Sequence, residues 1–255
     1  MKIYRFAHKG EIAYGVLREE NLALVHGSLF GDFVVGPETL PIGEVSLLPP
    51  AEPSKIVAVG VNYRDHALER GRSLPEEPLL FLKPPSAVIG PNDIILYPKM
   101  SKRVDYEGEL ALVIKKTAKN LDDRAPVEDH ILGYTCFNDV TARDLQDKDV
   151  QFTRAKSFDT FAAIGPCLVT GLDPADVKIK TFLNGKLRQS SSTKNLIFPV
   201  PFLVRHISRI MTLYPGDVIT TGTPAGIGPM QPGDKVDVQI EGIGTLSNTI
   251  MKVWE

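Results

Sequence analysis

Helix-breaking residues punctuate this chain so densely that little room is left for long helices. Its 255 residues include 21 glycines and 20 prolines. Such spacing points to a β-rich fold with many turns. The breakers do not signal disorder or a collagen repeat, because the apolar share of 43% and charged share of 24% are those of an ordinary globular protein. The length allows one large domain or two small ones. It is enough to bury about 70–75% of the surface of the unfolded chain.

Charge and cysteine usage narrow the function classes. Lysine and arginine number 29 against 31 acids, a net charge of −2, so a polyanion such as nucleic acid is disfavoured as the main ligand. Cys136 and Cys167 lie in apolar runs and outside any Cys-x-x-Cys. They read as small buried hydrophobes, and reduced thiols fit a cytoplasmic protein. The first residues, Met1-Lys2-Ile3-Tyr4-Arg5, open no apolar stretch of signal-peptide length. No run approaches the roughly 18 apolar residues of a membrane span. The expectation is a cytoplasmic protein without membrane contact.

Two unequal units are expected. Ile3–Ala7, Ile12–Leu17 and Leu22–Val25 are short, loosely alternating runs separated by Gly10 and Asn21, the pattern of a β-meander. Pro49, Pro50 and Pro53 then stiffen the chain, which places a boundary near residue 52. Beyond it, apolar runs at Ile56–Val61, Leu79–Leu82, Ile94–Leu96, Val104–Ile114, Ile131–Phe137, Val218–Thr221, Val236–Ile240 and Thr245–Val253 predict strands. Asn184-Gly185 supplies both positive-φ positions of a type I′ hairpin turn between Val177 and Arg188. The best helix runs from Val200 to Leu213, where Leu203, Val204, Ile207, Ile210 and Met211 share one face and Pro215-Gly216 follows as a stop.

The most informative chemistry lies at Val104-Asp105-Tyr106-Glu107-Gly108-Glu109, just ahead of the apolar run Leu110–Ile114. On a strand, Glu107 and Glu109 project from one face. Two like charges entering a core strand are tolerated at a solvated strand end, or where a cation neutralises them. Asp139 ends a second apolar run, and three carboxylates from two strand ends would make an all-oxygen site. Such a site suits Mg²⁺, Mn²⁺ or Ca²⁺ rather than zinc.

Other polar clusters surround this core reading. In a helical turn, Asp139, Arg143 and Gln146 would share a face, as in any surface helix with local pairs; Arg143 could also clamp a carboxylate. His66 and Glu69, i and i+3 behind a capping Asp65, form either a surface contact or an imidazole oriented as a general base. Gly71 and Pro75 follow and could belong to a mobile lid. His8, His26, His130 and His206 have no such neighbour and read as structural or exposed. Lys83 and Lys156 sit among apolar and aromatic residues, so each, if buried, wants an anionic partner. The Gly-rich stretch Thr220–Gly228 lacks the signatures of a phosphate loop. It is a tight turn, or its N–H groups and Thr223 receive a carboxylate.

Together these segments resemble the fumarylacetoacetate hydrolase family. The resemblance rests on Asp105-Tyr106-Glu107-x-Glu109-Leu110-Ala111, Gly133-Tyr134-x-x-x-Asn138-Asp139-Val140-x-x-Arg143-Asp144-x-Gln146, Lys156-Ser157-Phe158-Asp159-Thr160-Phe161-x-x-x-Gly165-Pro166 and Thr221-Gly222-Thr223-Pro224-x-Gly226. It runs from about Pro53 to Val253. It implies a mixed α+β, predominantly β fold: a β-roll or β-sandwich catalytic domain over 53–255, with a small N-terminal β unit over 1–52. By the resemblance, Glu107, Glu109 and Asp139 are metal ligands, and Mg²⁺ is the expected ion, with Mn²⁺ or Ca²⁺ as substitutes. His66 and Glu69 are a catalytic pair in a lid, and Lys156 acts with them. Arg143, Gln146, Lys83, Gly222 and Thr223 fall on the substrate side. A homodimer is expected.

The implied chemistry is that of a metal-stabilised enolate formed from a 2-oxo acid. The leading expectation is a 2-hydroxyhepta-2,4-diene-1,7-dioate isomerase and 5-carboxymethyl-2-oxo-hex-3-ene-1,7-dioate decarboxylase of aromatic-acid degradation. Acylpyruvate hydrolysis or oxaloacetate decarboxylation are the alternatives, and the His66–Glu69 pair pulls towards them. A binding protein of the same fold without activity is a third reading, one that leaves a general base unexplained.

Overall fold

Short strands dominate the molecule, as the distribution of glycine and proline requires. The computed structural model describes residues 1–69 and 73–252, leaving aside the side chains of Ala67 and Leu68. The lid expected around Gly71 and the end of the predicted strand at Val253 lie outside the described residues.

The largest sheet runs in the order Phe33–Pro41, Asn21–Gly27, Glu11–Arg18, Lys2–His8, Ala162–Val169, Ile131–Asp139, Gly108–Ile114, Val218–Thr220, Ile56–Gly60, Leu79–Lys83. Two short strands, Ser46–Leu48 and Val88–Ile89, pair at its side. A five-stranded sheet holds the hairpin Lys178–Leu183/Lys186–Ser192, then Lys235–Ile240, Gly244–Lys252 and Ile94–Tyr97. Thr141–Ala142, Val104–Tyr106 and Gly228–Met230 make a small third sheet.

Burial on both faces explains the unbroken apolar run after Glu109. Leu110, Leu112 and Ile114 point into one cluster with Ile179, Val238 and Ile240 of the five-stranded sheet and Leu203, Val204 and Ile207 of the helix Val200–Ile210. Ala111 and Val113 point the other way, to Phe137, Ile164 and Leu168. The side-chain period of two serves two cores at once.

The predicted meander is present, and its sheet continues into the rest of the chain. Lys2 pairs with Val169 and Ile3 with Leu168. Ile3 and Val16 also share an apolar cluster with Phe137 and Ile164 across residue 52. A fourth strand, Phe33–Pro41, escaped notice because Gly36 and Pro37 interrupt its pattern. The hairpin turn is as expected, with φ of 51° at Asn184 and 73° at Gly185.

Three local readings need correction. The predicted strand Val104–Ile114 is two strands, Val104–Tyr106 and Gly108–Ile114, in different sheets and broken at Glu107. The helix ends at Ile210, not Leu213: Met211 is extended at φ −146° and ψ 148°. Leu213 is buried through a bridge to Ala118, with N···O distances of 2.9 and 3.0 Å, so it imitated the helical period. Asp139, finally, closes the strand Ile131–Asp139, and only Arg143 and Gln146 belong to the helix Arg143–Lys148.

One buried carboxylate anchors the chain after the proline-rich stretch. Asp217 accepts hydrogen bonds from Ser54 N (3.2 Å), Ser54 Oγ (2.6 Å), Lys55 N (3.2 Å) and Tyr214 N (2.8 Å), and pairs with the Lys55 ammonium. Asp217→Ala leaves these donors unmet. It is expected to cost about 3 kcal/mol or more, read as a lower urea midpoint; an unchanged midpoint would count against this anchor.

Candidate active site

The break at Glu107 builds the site. Leaving one sheet for another, Glu107 donates its N–H to Asn138 Oδ1 (3.0 Å), and its carbonyl accepts from Asp139 N (2.9 Å). The two strand ends are thereby laced together. Carboxylate oxygens of Glu107, Glu109 and Asp139 all lie within 4.8 Å of one another, and all three residues are buried.

Cations close around them, each placed by a different element. Lys156, ending the short helix Thr153–Lys156, donates to Glu107 Oε2 (2.8 Å) and Asp139 Oδ2 (2.5 Å). Its ammonium also lies 4.9 Å from the centroid of the Phe81 ring. Lys83, at the end of Leu79–Lys83, bonds Asp139 and the Val140 carbonyl (3.2 Å). That contact puts Lys83 with the carboxylates rather than on the pocket wall. Arg143, opening its helix, reaches Asp105 Oδ2 (2.9 Å), Glu107 and Gln146. Asp105 is held in turn by Arg103 through two bonds of 2.9 and 3.1 Å.

These contacts set the proton affinities. Burial raises the Glu107 carboxyl, but Lys156 and Arg143 overcome it and hold the group below the usual carboxylate range. Glu109 is pushed well up, first by burial and then by repulsion from Asp139 and Glu107. Burial lowers Lys83 despite Asp139 beside it. Lys156 is raised, because Asp139 and Glu107 outweigh its burial. Asp105, Glu107, Glu109 and Asp139 face Arg103, Arg143, Lys83 and Lys156, and among these acids Glu109 is the one with no ion pair among the described residues. Three convergent carboxylate oxygens, one of them on an acid without an ion-pair partner, fit a hard divalent cation such as Mg²⁺, Mn²⁺ or Ca²⁺.

The Gly-rich loop does receive carboxylates, and they are the chain's own. Gly222 N–H donates to Glu109 Oε2 (2.8 Å), and Gly226 N–H to Glu69 Oε1 and Oε2 (3.1 and 3.2 Å). Gly222 has φ +90°, and a Cβ there would stand 2.9 Å from Asn62 Cβ. Asn62 fixes the same loop, donating to Thr221 O (2.8 Å) and Phe198 O (3.0 Å) and accepting from Phe198 N (2.8 Å). Thr223 Oγ donates to Gly108 O (2.9 Å) and accepts from Gln189 Nε2 (2.8 Å).

His66 lies on the helix Arg64–Glu69 and is buried, with Nδ1 3.3 Å from Glu69 Oε2. Asp65 sits inside the first turn rather than capping it, and takes His66 N–H (2.8 Å) and Ser191 Oγ–H (3.1 Å). One pocket brings His66 together with Glu107, Glu109, Asp139, Arg143, Gln146, Lys156 and Thr223, walled by Val59, Val61, Phe81 and Phe152. Phe81 and Phe152 meet edge to face at 5.5 Å. Among the other histidines, His26 does have an acid neighbour, Glu38 at 3.2 Å on the next strand, but both are more than half exposed.

Asp105, Asn138, Asn62 and Gln189 were not singled out beforehand. Asp105 and Asn138 stand within the quoted motifs. Asn62 and Gln189 act on backbone groups distant in sequence, and no spacing announces that.

Comparison with known proteins assigns this architecture to a family. The chain belongs to the fumarylacetoacetate hydrolase family: the model "Fumarylacetoacetate (FAA) hydrolase C-terminal" matches residues 55–251, and "Rv2993c-like, N-terminal" matches residues 1–50. Oxaloacetate tautomerase YisK of Bacillus subtilis is 44% identical over 224 residues, 82% of this chain and 74% of its own. The crystal structure of 2-hydroxyhepta-2,4-diene-1,7-dioate isomerase from Mycobacterium marinum superposes with a TM-score of 0.92 at 41% identity over the full length of both chains. Maleylpyruvate hydrolase from Sphingobium sp. SYK-6, solved with manganese(II) and pyruvate, gives 0.82 at 29% identity, again over both full lengths. No described helix is long and apolar enough to cross a membrane.

Proposed function

We propose that this chain is a divalent-metal-dependent enzyme that moves a proton next to the keto group of 2-oxo and 2-hydroxy-dienoic dicarboxylic acids, as an isomerase or tautomerase. The observation that carries the metal-dependent proton transfer common to this reading and the next is the His66–Glu69 pair sharing one pocket with the three carboxylates. The isomerase and tautomerase names of two relatives support it.

Glu107, Glu109 and Asp139 would hold the cation. Bound there, it supplies Lewis-acid charge at the substrate's keto oxygen. Glu69 orients the imidazole through Nδ1, so Nε2 is the nitrogen left to take up and return a proton at the substrate carbon. Lys156 holds Glu107 and Asp139 in place and puts positive charge beside developing negative charge. Val59, Phe81 and Phe152 keep water from the reacting atoms. We place this activity in residues 53–255, with residues 1–52 in support.

A second reading is C–C hydrolysis or decarboxylation of acylpyruvates and oxaloacetate. The same histidine favours it, since an oriented base serves a water as well as a carbon acid, and the maleylpyruvate hydrolase neighbour supports it. A substrate panel separates the two. With Mg²⁺, the enol band of oxaloacetate and of 2-hydroxyhepta-2,4-diene-1,7-dioate is expected to decay under enzyme, to stop with chelator and to resume with Mg²⁺ or Mn²⁺. Turnover indifferent to chelation removes the metal-dependent mechanism. Faster cleavage of acetylpyruvate than isomerisation of either acid transfers the assignment to the second reading.

A further inference from the structure

We propose that Gln189 is a positioning residue for the carboxylate cluster: it closes a ring of hydrogen bonds around Gly108 and so sets the disposition of Glu107 and Glu109. The inference rests on the reading of that cluster as a cation site.

Gly108 stands between the two glutamates, at the point where the chain changes sheets. Its N–H donates to Gln189 Oε1 (3.0 Å), Gln189 Nε2 donates to Thr223 Oγ (2.8 Å), and Thr223 Oγ donates back to the Gly108 carbonyl (2.9 Å). Gln189 Nε2 has a second acceptor in the Pro224 carbonyl (2.8 Å). Every direction in this ring is forced. A backbone N–H can only donate and a carbonyl can only accept, so the amide has one orientation and the hydroxyl one rotor.

Gln189 is fully buried and belongs to the far strand of the hairpin, in the other large sheet. Its cross-strand partner Thr181 presses on the same glycine. A Cβ at Gly108 would fall 2.1 Å from Thr181 Oγ and 3.3 Å from Gln189 Oε1. The hairpin therefore reads the one position that separates the two glutamates, and requires it to be glycine. Through Thr223 and Pro224 the ring also holds the loop whose Gly222 N–H bonds Glu109. Both glutamates are thus fixed from one amide, Glu107 through its neighbour's peptide and Glu109 through that loop. Loss of a hydrogen bond made to a ligand itself costs a metal site about 10–100-fold in affinity. Gln189 acts on the peptide between two ligands, which sets the expectation at the low end of that range.

The test uses MnCl₂ titrated into the full chain, with free Mn²⁺ read by its electron paramagnetic resonance signal. Gln189→Met keeps length and removes every bond; Thr223→Val opens the same ring at another point. Each is expected to weaken Mn²⁺ binding about tenfold at a temperature where circular dichroism shows both variants folded. The double variant is expected to be little worse than either single one, because one ring opens only once. Mn²⁺ affinity within twofold of wild type in the folded variants, or fully additive losses, overturns the proposal. Should Gln189→Met not fold, Thr223→Val alone decides by the same criterion. A wild-type chain that binds no Mn²⁺ overturns the cation-site reading itself, and this inference with it.

Discussion

In chelator, Asp139→Ala is expected to lose about 3–5 kcal/mol of stability, whereas Glu109→Gln is expected to gain, although both abolish cation binding. Asp139 divides its oxygens between Lys83 and Lys156, both fully buried. Removing it strands Lys83, whose charged form burial already disfavours. Glu109 is the opposite case. Its carboxyl is raised by burial and by repulsion from Asp139 and Glu107, and the cation is what it lacks. Above the ordinary glutamate range the unfolded chain is ionised here, and folding must protonate or crowd this carboxyl. A neutral amide removes that cost and keeps an oxygen for the Gly222 N–H; below that range the gain is expected to vanish. A gain of about 1 kcal/mol corresponds to roughly 2–4 °C in melting temperature for a chain of this size. Mn²⁺ should then stabilise the wild type and leave Glu109→Gln unmoved. A lower melting temperature for Glu109→Gln in chelator would sink the idea that this carboxylate awaits a cation.

His66→Ala is expected to lower kcat by about 10²–10⁴-fold with Mn²⁺ affinity unchanged. The imidazole shares the pocket with the carboxylates, but its bond is to Glu69. Glu69→Gln should fall between wild type and His66→Ala, because the amide still meets the ring while losing the charge that favours Nδ1–H. Glu69 also bonds Gly226 N–H, so Glu69→Ala, which removes the acceptor that Gln keeps, is expected to raise KM as the helix Arg64–Glu69 loosens from the loop. Full activity in His66→Ala would remove the histidine from the proton path.

Much of this arrangement was legible before the fold was known, and the exceptions share a cause. The strands on either side of Asn184-Gly185 were readable because turn chemistry is local. The three carboxylates were readable because they flank apolar runs, Glu107 and Glu109 ahead of Leu110–Ile114 and Asp139 after Ile131–Phe137. What could not be read was the change of sheet at Glu107. Gly108 marks a break within Val104–Ile114, but nothing local says which sheet takes each half. Only the partners of each half, Thr141–Ala142 and Gly228–Met230 against Ile131–Asp139 and Val218–Thr220, decide it. Leu213 misled for the same reason: its burial comes from Ala118, far along the chain. The destinations of Lys83 and Lys156 were open as well. Their apolar neighbours announced burial and a need for anions, but not which anions.

The pairing of Lys2 and Ile3 with Leu168 and Val169 carries a consequence for how this chain acquires its shape. Lys2–His8 pairs nearby with Glu11–Arg18 and Ser46–Leu48, but residues 2–3 meet their partners on the other edge only some 160 residues further along the chain. That late partner strand, Ala162–Val169, also flanks Ile131–Asp139, the strand bearing Asp139. Closing so long a loop is entropically costly and slow. Until it closes, the edge at residues 2–3 stays open to strands of other chains. Aggregation during refolding should therefore be governed by how soon residues 2–3 and 168–169 meet. Assembly of the carboxylate cluster would follow the same late event.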